Sequence, residues 1–178
     1  MSTQLSCREP CEADLKDEAI KHLVDLINRV YDDAESGMWR RPGTRTNPAQ
    51  VRGLLRDKRL ILAELNGVIV GAVNVNLLDE TVAEFGMLVV DLDHRGLGIG
   101  SMLVQAVEEW ARSRKRRTIR LELLTPRSWT HPSKEFLQGW YKRIGYAPQF
   151  TEPFEKMYPE LLGELATDCD FTVWHKQL

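Results

Sequence analysis

The chain has 178 residues, 43% of them hydrophobic and 28% charged, with a formal net charge of -2 at pH 7. That length and balance suit a single domain, 1–178, with a real core, and give no overall case for a nucleic-acid or membrane partner. No apolar run approaches the ~20 residues of a membrane-spanning helix, and the three cysteines, Cys7, Cys11 and Cys169, lack the companions of a disulfide framework or a metal site.

The first residues also lack the basic-then-apolar pattern of a signal peptide. With the sparse cysteines this points to the cytoplasm and leaves the nucleus open. Residues 4–9 read as a short first strand. Leu15, Ala19, Leu23, Leu26, Ile27, Val30, Tyr31 and Ala34 recur at helical spacing, and Gly37 ends that helix. A polar loop with Trp39, Arg40, Arg41 and Arg45 follows. Asn47-Pro48 then opens a second helix as N-cap and first-turn proline.

Residues 60–65 and 68–77 read as strands joined at Asn66-Gly67, the strongest short hairpin signal. After a turn at Asp79-Glu80, residues 81–90 make a third antiparallel strand. Then come Arg95 and three glycines at alternate positions, Gly96, Gly98 and Gly100, directly before a helix whose apolar stripe runs from Ile99 to Ala111. Glycine admits close backbone approach, and a helix N-terminus offers unpaired N–H groups, so residues 95–101 suit a diphosphate. In that helix Gln105, Glu108, Glu109 and Arg112 face away from the stripe. The basic run 112–117 is read as its solvated C-terminal end, where cations suit the helix dipole.

Residues 118–124 read as a fourth strand of the meander class, 134–144 as a helix stopped by Gly145, 155–166 as helical, and 171–176 as the last strand. A P-loop is absent, because no Gly-Lys-Ser/Thr follows the glycines. A dinucleotide fold is disfavoured because the strands before the glycines form an antiparallel meander and the third glycine of its fingerprint is replaced by Ser101.

Leu88-x-Val90-x-x-x-x-Arg95-Gly96-x-Gly98-Ile99-Gly100, followed later by Tyr141-Lys142-Arg143-Ile144-Gly145-Tyr146, resembles the two signature motifs of the GCN5-related N-acetyltransferase (GNAT) superfamily. The resemblance covers roughly residues 60–148. It implies an α/β (α+β) fold: a mixed, mostly antiparallel twisted sheet of six or seven strands with helices on both faces. It further implies acetyl-CoA as donor, no metal, a primary amine as acceptor and direct attack in a ternary complex. A small-molecule amine is expected. Protein N-terminal or lysine acetylation is the runner-up, and a CoA-binding sensor without turnover the reading of another class. Homodimers are common among relatives.

By the same resemblance, Leu88, Val89 and Val90 pair with the pantetheine arm, and the turn Arg95, Gly96, Leu97, Gly98, Ile99, Gly100 and Ser101 holds the pyrophosphate. Tyr141 protonates the departing thiolate or is simply core. Glu84 is the candidate base and shares a face with Leu88 and Val90 by period two, or is a solvated or paired carboxylate. Glu122 is the second candidate, equally readable as structural. Lys134 stands where relatives carry an asparagine that contacts CoA. It meets a CoA phosphate or is surface charge. Glu35, Trp39, Arg45, Asn74, Glu122 and Trp129 are expected around the acceptor, with His131 as a further candidate or a turn residue.

Overall fold

The computed structural model describes residues 4–178. Its seven strands form one sheet in the order β1-β2-β3-β4-β5-β7-β6: β1 Leu5–Arg8, β2 Leu60–Leu65, β3 Val68–Leu77, β4 Val82–Val90, β5 Thr118–Pro126, β6 Ala147–Pro153 and β7 Cys169–Gln177. The β2–β3 connection is the expected two-residue hairpin, with both Asn66 (φ 51°) and Gly67 (φ 84°) in the left-handed region that its twist demands. All neighbouring pairs are antiparallel except β4–β5.

That parallel pair corrects the sequence reading of β5 as a meander strand. Helix α3 (Ile99–Ser113) carries the chain from the end of β4 back to the start of β5, a crossover that only a parallel partner can receive. The unit at the glycines is thus βαβ after all. It differs from a dinucleotide-binding unit in its antiparallel flanks and in its brevity, because β4 and β5 pair only at Val82–Thr118, Ala83–Ile119 and Glu84–Arg120.

Helices α1 (Asp17–Ala34) and α2 (Pro48–Arg56) cover one face of the sheet. Ile20, Leu23, Ile27, Val51 and Leu55 pack there on Leu60, Leu62, Ala72, Met87 and Val89. Asn47 caps α2, accepting from the Gln50 amide at 3.0 Å. On the other face lie α3 and α4 (Pro132–Arg143), whose Ile99, Leu103, Val107 and Tyr141 pack on Val73, Phe85, Leu121 and Trp174. Glu108 does not face away from the α3 stripe as its neighbours do. It is 7% exposed and accepts from Lys176 at 2.8 Å and from the Tyr146 hydroxyl at 3.2 Å, because β7 brings a cation under the helix. The stretch read as one helix near the C-terminus is two short pieces, α5 (Phe154–Met157) and a 3₁₀ turn (Pro159–Glu164), interrupted where proline removes an amide donor.

Candidate active site

One irregularity organises the site. In β4, three steps along the strand (Gly86 to Val89) oppose two in β3 (Asn74 to Ala72), and Met87 takes φ 50°. This is a bulge, and it bends the strand. It also breaks the alternation of faces. Ala83 and Phe85 belong to the α3/α4 core, Met87 and Val89 to the α1/α2 core, and Leu88 and Val90 again to the α3/α4 side. Glu84 therefore does not share a face with Leu88 and Val90. Period two holds only within unbroken strand, and the inserted residue flips it. The bulge follows directly on the last β4–β5 pair, so the two strands part beyond Glu84 and Arg120. Along Leu88 to Val90 the β4 backbone is paired to β3 on one side and, among the described residues, to no strand on the other.

At the end of the split lies the glycine turn. Gly96 (φ 82°) and Gly98 (φ 77°) adopt left-handed conformations that a side chain disfavours, and Gly98 is the N-cap of α3. Among the described residues, no protein group accepts from the amides of Gly96, Gly98, Ile99, Gly100 or Ser101. A row of free N–H groups at a helix N-terminus is an anion cradle. Arg95 pairs with Asp33 of α1 at 2.8 Å with both side chains about half exposed (51% and 46%), so its guanidinium is accessible. Arg29 ties the loop before the turn to α1 through Asp91 (3.7 Å) and Asp93 (3.1 Å). The free edge of β4 and the free turn amides fit an arm carrying amides and a diphosphate.

On the α3/α4 side of the split stands Tyr141, 4% exposed, ringed by Trp140 (5.1 Å between centroids), Tyr146 (5.8 Å), Phe85 (6.2 Å) and Trp174 (6.4 Å). Burial pushes its phenol far above the ordinary tyrosine range, with a smaller contribution from nearby Tyr31. The hydroxyl thus stays protonated and can donate.

On the α1/α2 side the sheet carries charge. Glu84 lies beside Arg120 (Oε2 to Nε 3.4 Å), and Arg120 also contacts Glu122, whose other oxygen accepts from the Tyr158 hydroxyl at 2.7 Å. Burial raises the Glu84 carboxyl above the usual range. Glu122 adds to that shift, while Arg120 and Arg59 oppose it. Asn74 pairs with Gly86 in register and Asn76 with Glu84, which puts both asparagines on this face. The Asn74 Oδ1 is buried without a partner.

Two loops meet beside this bay. Trp39 and Leu165 form a β-bridge, and the Arg40 amide donates to the Glu164 carbonyl and the Ala166 amide to the Met38 carbonyl, both at 2.9 Å. Arg41 pairs with Glu164 at 2.5 Å. Trp39 and Tyr158, one from each loop, pack on Phe154.

The remaining sequence candidates fall into two groups. Glu35, Trp39 and Lys134 come together: Lys134 Nζ donates to Glu35 Oε1 at 2.6 Å and Trp39 Nε1 to Glu35 Oε2 at 2.5 Å. The Lys134 side chain is 6% exposed, so it is not surface charge, and its ammonium is held by Glu35. The others make contacts of their own, although Lys134 also lines the cavity that holds Trp129 and His131. Arg45 stacks on the Tyr31 ring at 4.7 Å, and Trp129, 38% exposed, donates to Thr167 at 3.2 Å. Trp129 and His131 line a shallow cavity of about 220 Å³ at the start of α4, where His131 Nδ1 accepts from the Ser133 amide as helix cap. Tyr158 and Tyr31 carry no signal in the sequence. The first sits in an irregular loop, and the second reads as one more apolar position of α1.

Among the described residues no group of three or more His, Cys, Asp or Glu is placed to hold a metal, and no helix is long and apolar enough to cross a membrane. No curated protein matches the chain. The fold is similar to that of ribosomal-protein-alanine N-acetyltransferase from Brucella melitensis (TM-score 0.68, 19% identity, 97% of this chain and 99% of that one). It is also similar to Salmonella typhimurium yncA, solved with its cofactor acetyl-CoA (0.70, 13%, 98% and 94%). A third likeness is to an aminoglycoside 6'-N-acetyltransferase complexed with coenzyme A (0.71, 17%, 97% and 96%). The model of the acetyltransferase (GNAT) family matches residues 24–146, a span from the first helix through the split, the glycine turn and Tyr141. That match covers more than half of the sequence, and the chain belongs to the GNAT family of acetyltransferases.

Proposed function

We propose that the protein transfers an acetyl group from acetyl-CoA to the primary amine of a small molecule by direct attack in a ternary complex. The observation that carries this is the β4–β5 split, which ends on a turn of free amides and has a buried phenol on one face and a carboxylate on the other. The donor supplies an acetyl group activated as a thioester. The amides of Arg95 to Ser101, with the Arg95 guanidinium, bind its two phosphates. The free edge of Leu88 to Val90 pairs with the amides of its arm, as an added strand would. Glu84, directly or through a water, takes the proton that an alkyl ammonium must lose before it can attack, and its raised pKa makes it a better base than an ordinary carboxylate. Tyr141 holds a proton for the departing sulfur. No cysteine lies in either motif to carry an acyl intermediate.

The bridged loops beside the charged bay support a small acceptor. The Arg40–Glu164 and Ala166–Met38 hydrogen bonds hold Trp39 and Leu165 opposite each other and close the gap between the two loops, which favours a compact acceptor over an extended peptide. Likeness in fold does not choose, since the similar proteins include both a ribosomal-protein and an aminoglycoside acetyltransferase. The test is release of free thiol from acetyl-CoA across a panel of amines, amino acids, polyamines and peptides. Turnover with small amines is the expected result. Turnover confined to peptides would replace the acceptor class. CoA binding with no acceptor-dependent release would leave a sensor.

A further inference from the structure

Glu35 and Lys134 form the most completely buried ion pair among the described residues, 7% and 6% exposed. Both carboxylate oxygens are used, one by the ammonium and one by the Trp39 indole. Removing two charges from water costs more than their attraction usually returns, and an apolar pair of similar size would join two helices without that cost. Stability is therefore a weak reason for the pair, and its position suggests a better one.

Glu35 directly follows α1, four residues after Tyr31. Lys134 is in the first turn of α4, seven residues before Tyr141, so two helical turns separate them along one face. Helix α1 packs on the sheet face that carries Glu84, and α4 on the face that carries Leu88 and Val90. The pair thus joins helices from opposite faces. Within α4 the ammonium is the group that ties its first turn to α1. The helix's exposed Phe136 (64%) lies on the opposite side.

We propose that Glu35 and Lys134, with Trp39, are positioning residues: a clasp between the two faces that sets the Tyr141 hydroxyl relative to Glu84 across the β4–β5 split. This rests on the roles given above to Tyr141 and Glu84. In this reading the ammonium serves Glu35 rather than a CoA phosphate.

The test compares wild type, Lys134→Met and the double variant Glu35→Met/Lys134→Met. The single change strands the Glu35 carboxylate and lowers the melting temperature. The double change removes both charges and recovers it. For a positioning clasp, kcat stays down by about tenfold to a hundredfold in the double variant, because small misplacements of a proton donor are costly. KM for acetyl-CoA, and the affinity for CoA measured by calorimetry, stay within about twofold, since no donor contact is lost. Recovery of kcat together with melting temperature would make the pair structural only and overturn the proposal. A weakened CoA affinity with kcat intact would overturn it in favour of a phosphate contact. If wild type itself shows no acceptor-dependent thiol release, the functional reading fails separately. The clasp is then read by amide exchange in the first turn of α4, expected about tenfold faster in the double variant. Unchanged exchange would overturn the clasp as well.

Discussion

The glycine turn and the charged bay lie at the two ends of one split and are built by opposite rules. The turn is local, contiguous in sequence, exposed and largely unpaired: the amides of Gly96 and of Gly98 to Ser101 have no protein acceptor, and Leu97 is 58% exposed. The bay is assembled from distant segments: Arg120 contacts both Glu84 and Glu122, Tyr158 donates to Glu122, and the Asn74 Oδ1 and Arg120 Nε atoms are buried without a hydrogen-bond partner. The difference teaches where specificity resides. A site of backbone amides reads phosphate wherever it occurs, whereas a network of paired side chains must be partly exchanged for substrate contacts and so discriminates. Under the proposed function, the turn end would take the constant donor and the bay end the particular acceptor.

Substitutions at the two ends should separate in kinetics. The largest effect is expected at Tyr141, the proposed proton donor to the leaving sulfur. Tyr141→Phe should lower kcat by about a hundredfold, with KM for acetyl-CoA nearly unchanged, because only a proton donor is lost. Unchanged turnover would return Tyr141 to the core. At the bay end, Glu84→Gln should lower kcat/KM for the acceptor by about thirtyfold at neutral pH. In wild type the acidic limb of the pH profile should lie above the ordinary carboxylate range, because burial and Glu122 raise this group. The variant should lose that limb, and a limb unmoved by the substitution would assign the base elsewhere. At the turn end, Gly98→Val should raise KM for acetyl-CoA by about tenfold and leave kcat intact, since a branched residue at φ 77° costs roughly 1–2 kcal/mol and moves the amides. A fall in kcat with unchanged KM would collapse the distinction between the ends.

The smallest effect concerns stability. Glu84 has a raised pKa in the folded chain, so its contribution to stability is greatest below the unfolded carboxyl pKa and is lost as pH rises through the folded value. Glu84→Gln should therefore melt slightly higher than wild type at pH 7, with the gap closing as pH falls through the titration of Glu84. A variant that melts lower at pH 7 would show that the Arg120 pairing outweighs desolvation.

What was legible in the sequence follows the same division. Features fixed by neighbours along the chain were readable: the bounds of β2 and β3 with their Asn66-Gly67 turn, the start of α3 at Ile99, the Asn47 cap and the helix that carries Tyr141. The Met87 bulge was not, because nothing in Gly86-Met87-Leu88 announces a left-handed methionine, and the face of Glu84 was misassigned in consequence. The partners of Lys134 and Glu122 were equally hidden. Glu35 lies 99 residues from Lys134 and Tyr158 lies 36 from Glu122, separations that periodicity cannot span. The inward turn of Glu108 was missed for the same reason, since its partner Lys176 is 68 residues away.

The bulge also bears on how such a chain can diverge. By inverting side-chain parity at Met87, it lets a single strand present a carboxylate to one face and its free backbone edge, with Leu88 and Val90, to the other side. If the bay takes the acceptor and the strand edge the donor, as proposed, side chains lining the bay can be exchanged without passing through the donor's binding surface, and the backbone that serves the donor tolerates many side chains. One inserted residue separates two selection pressures on the same strand, so a lineage can change what it acetylates while what it acetylates with stays fixed.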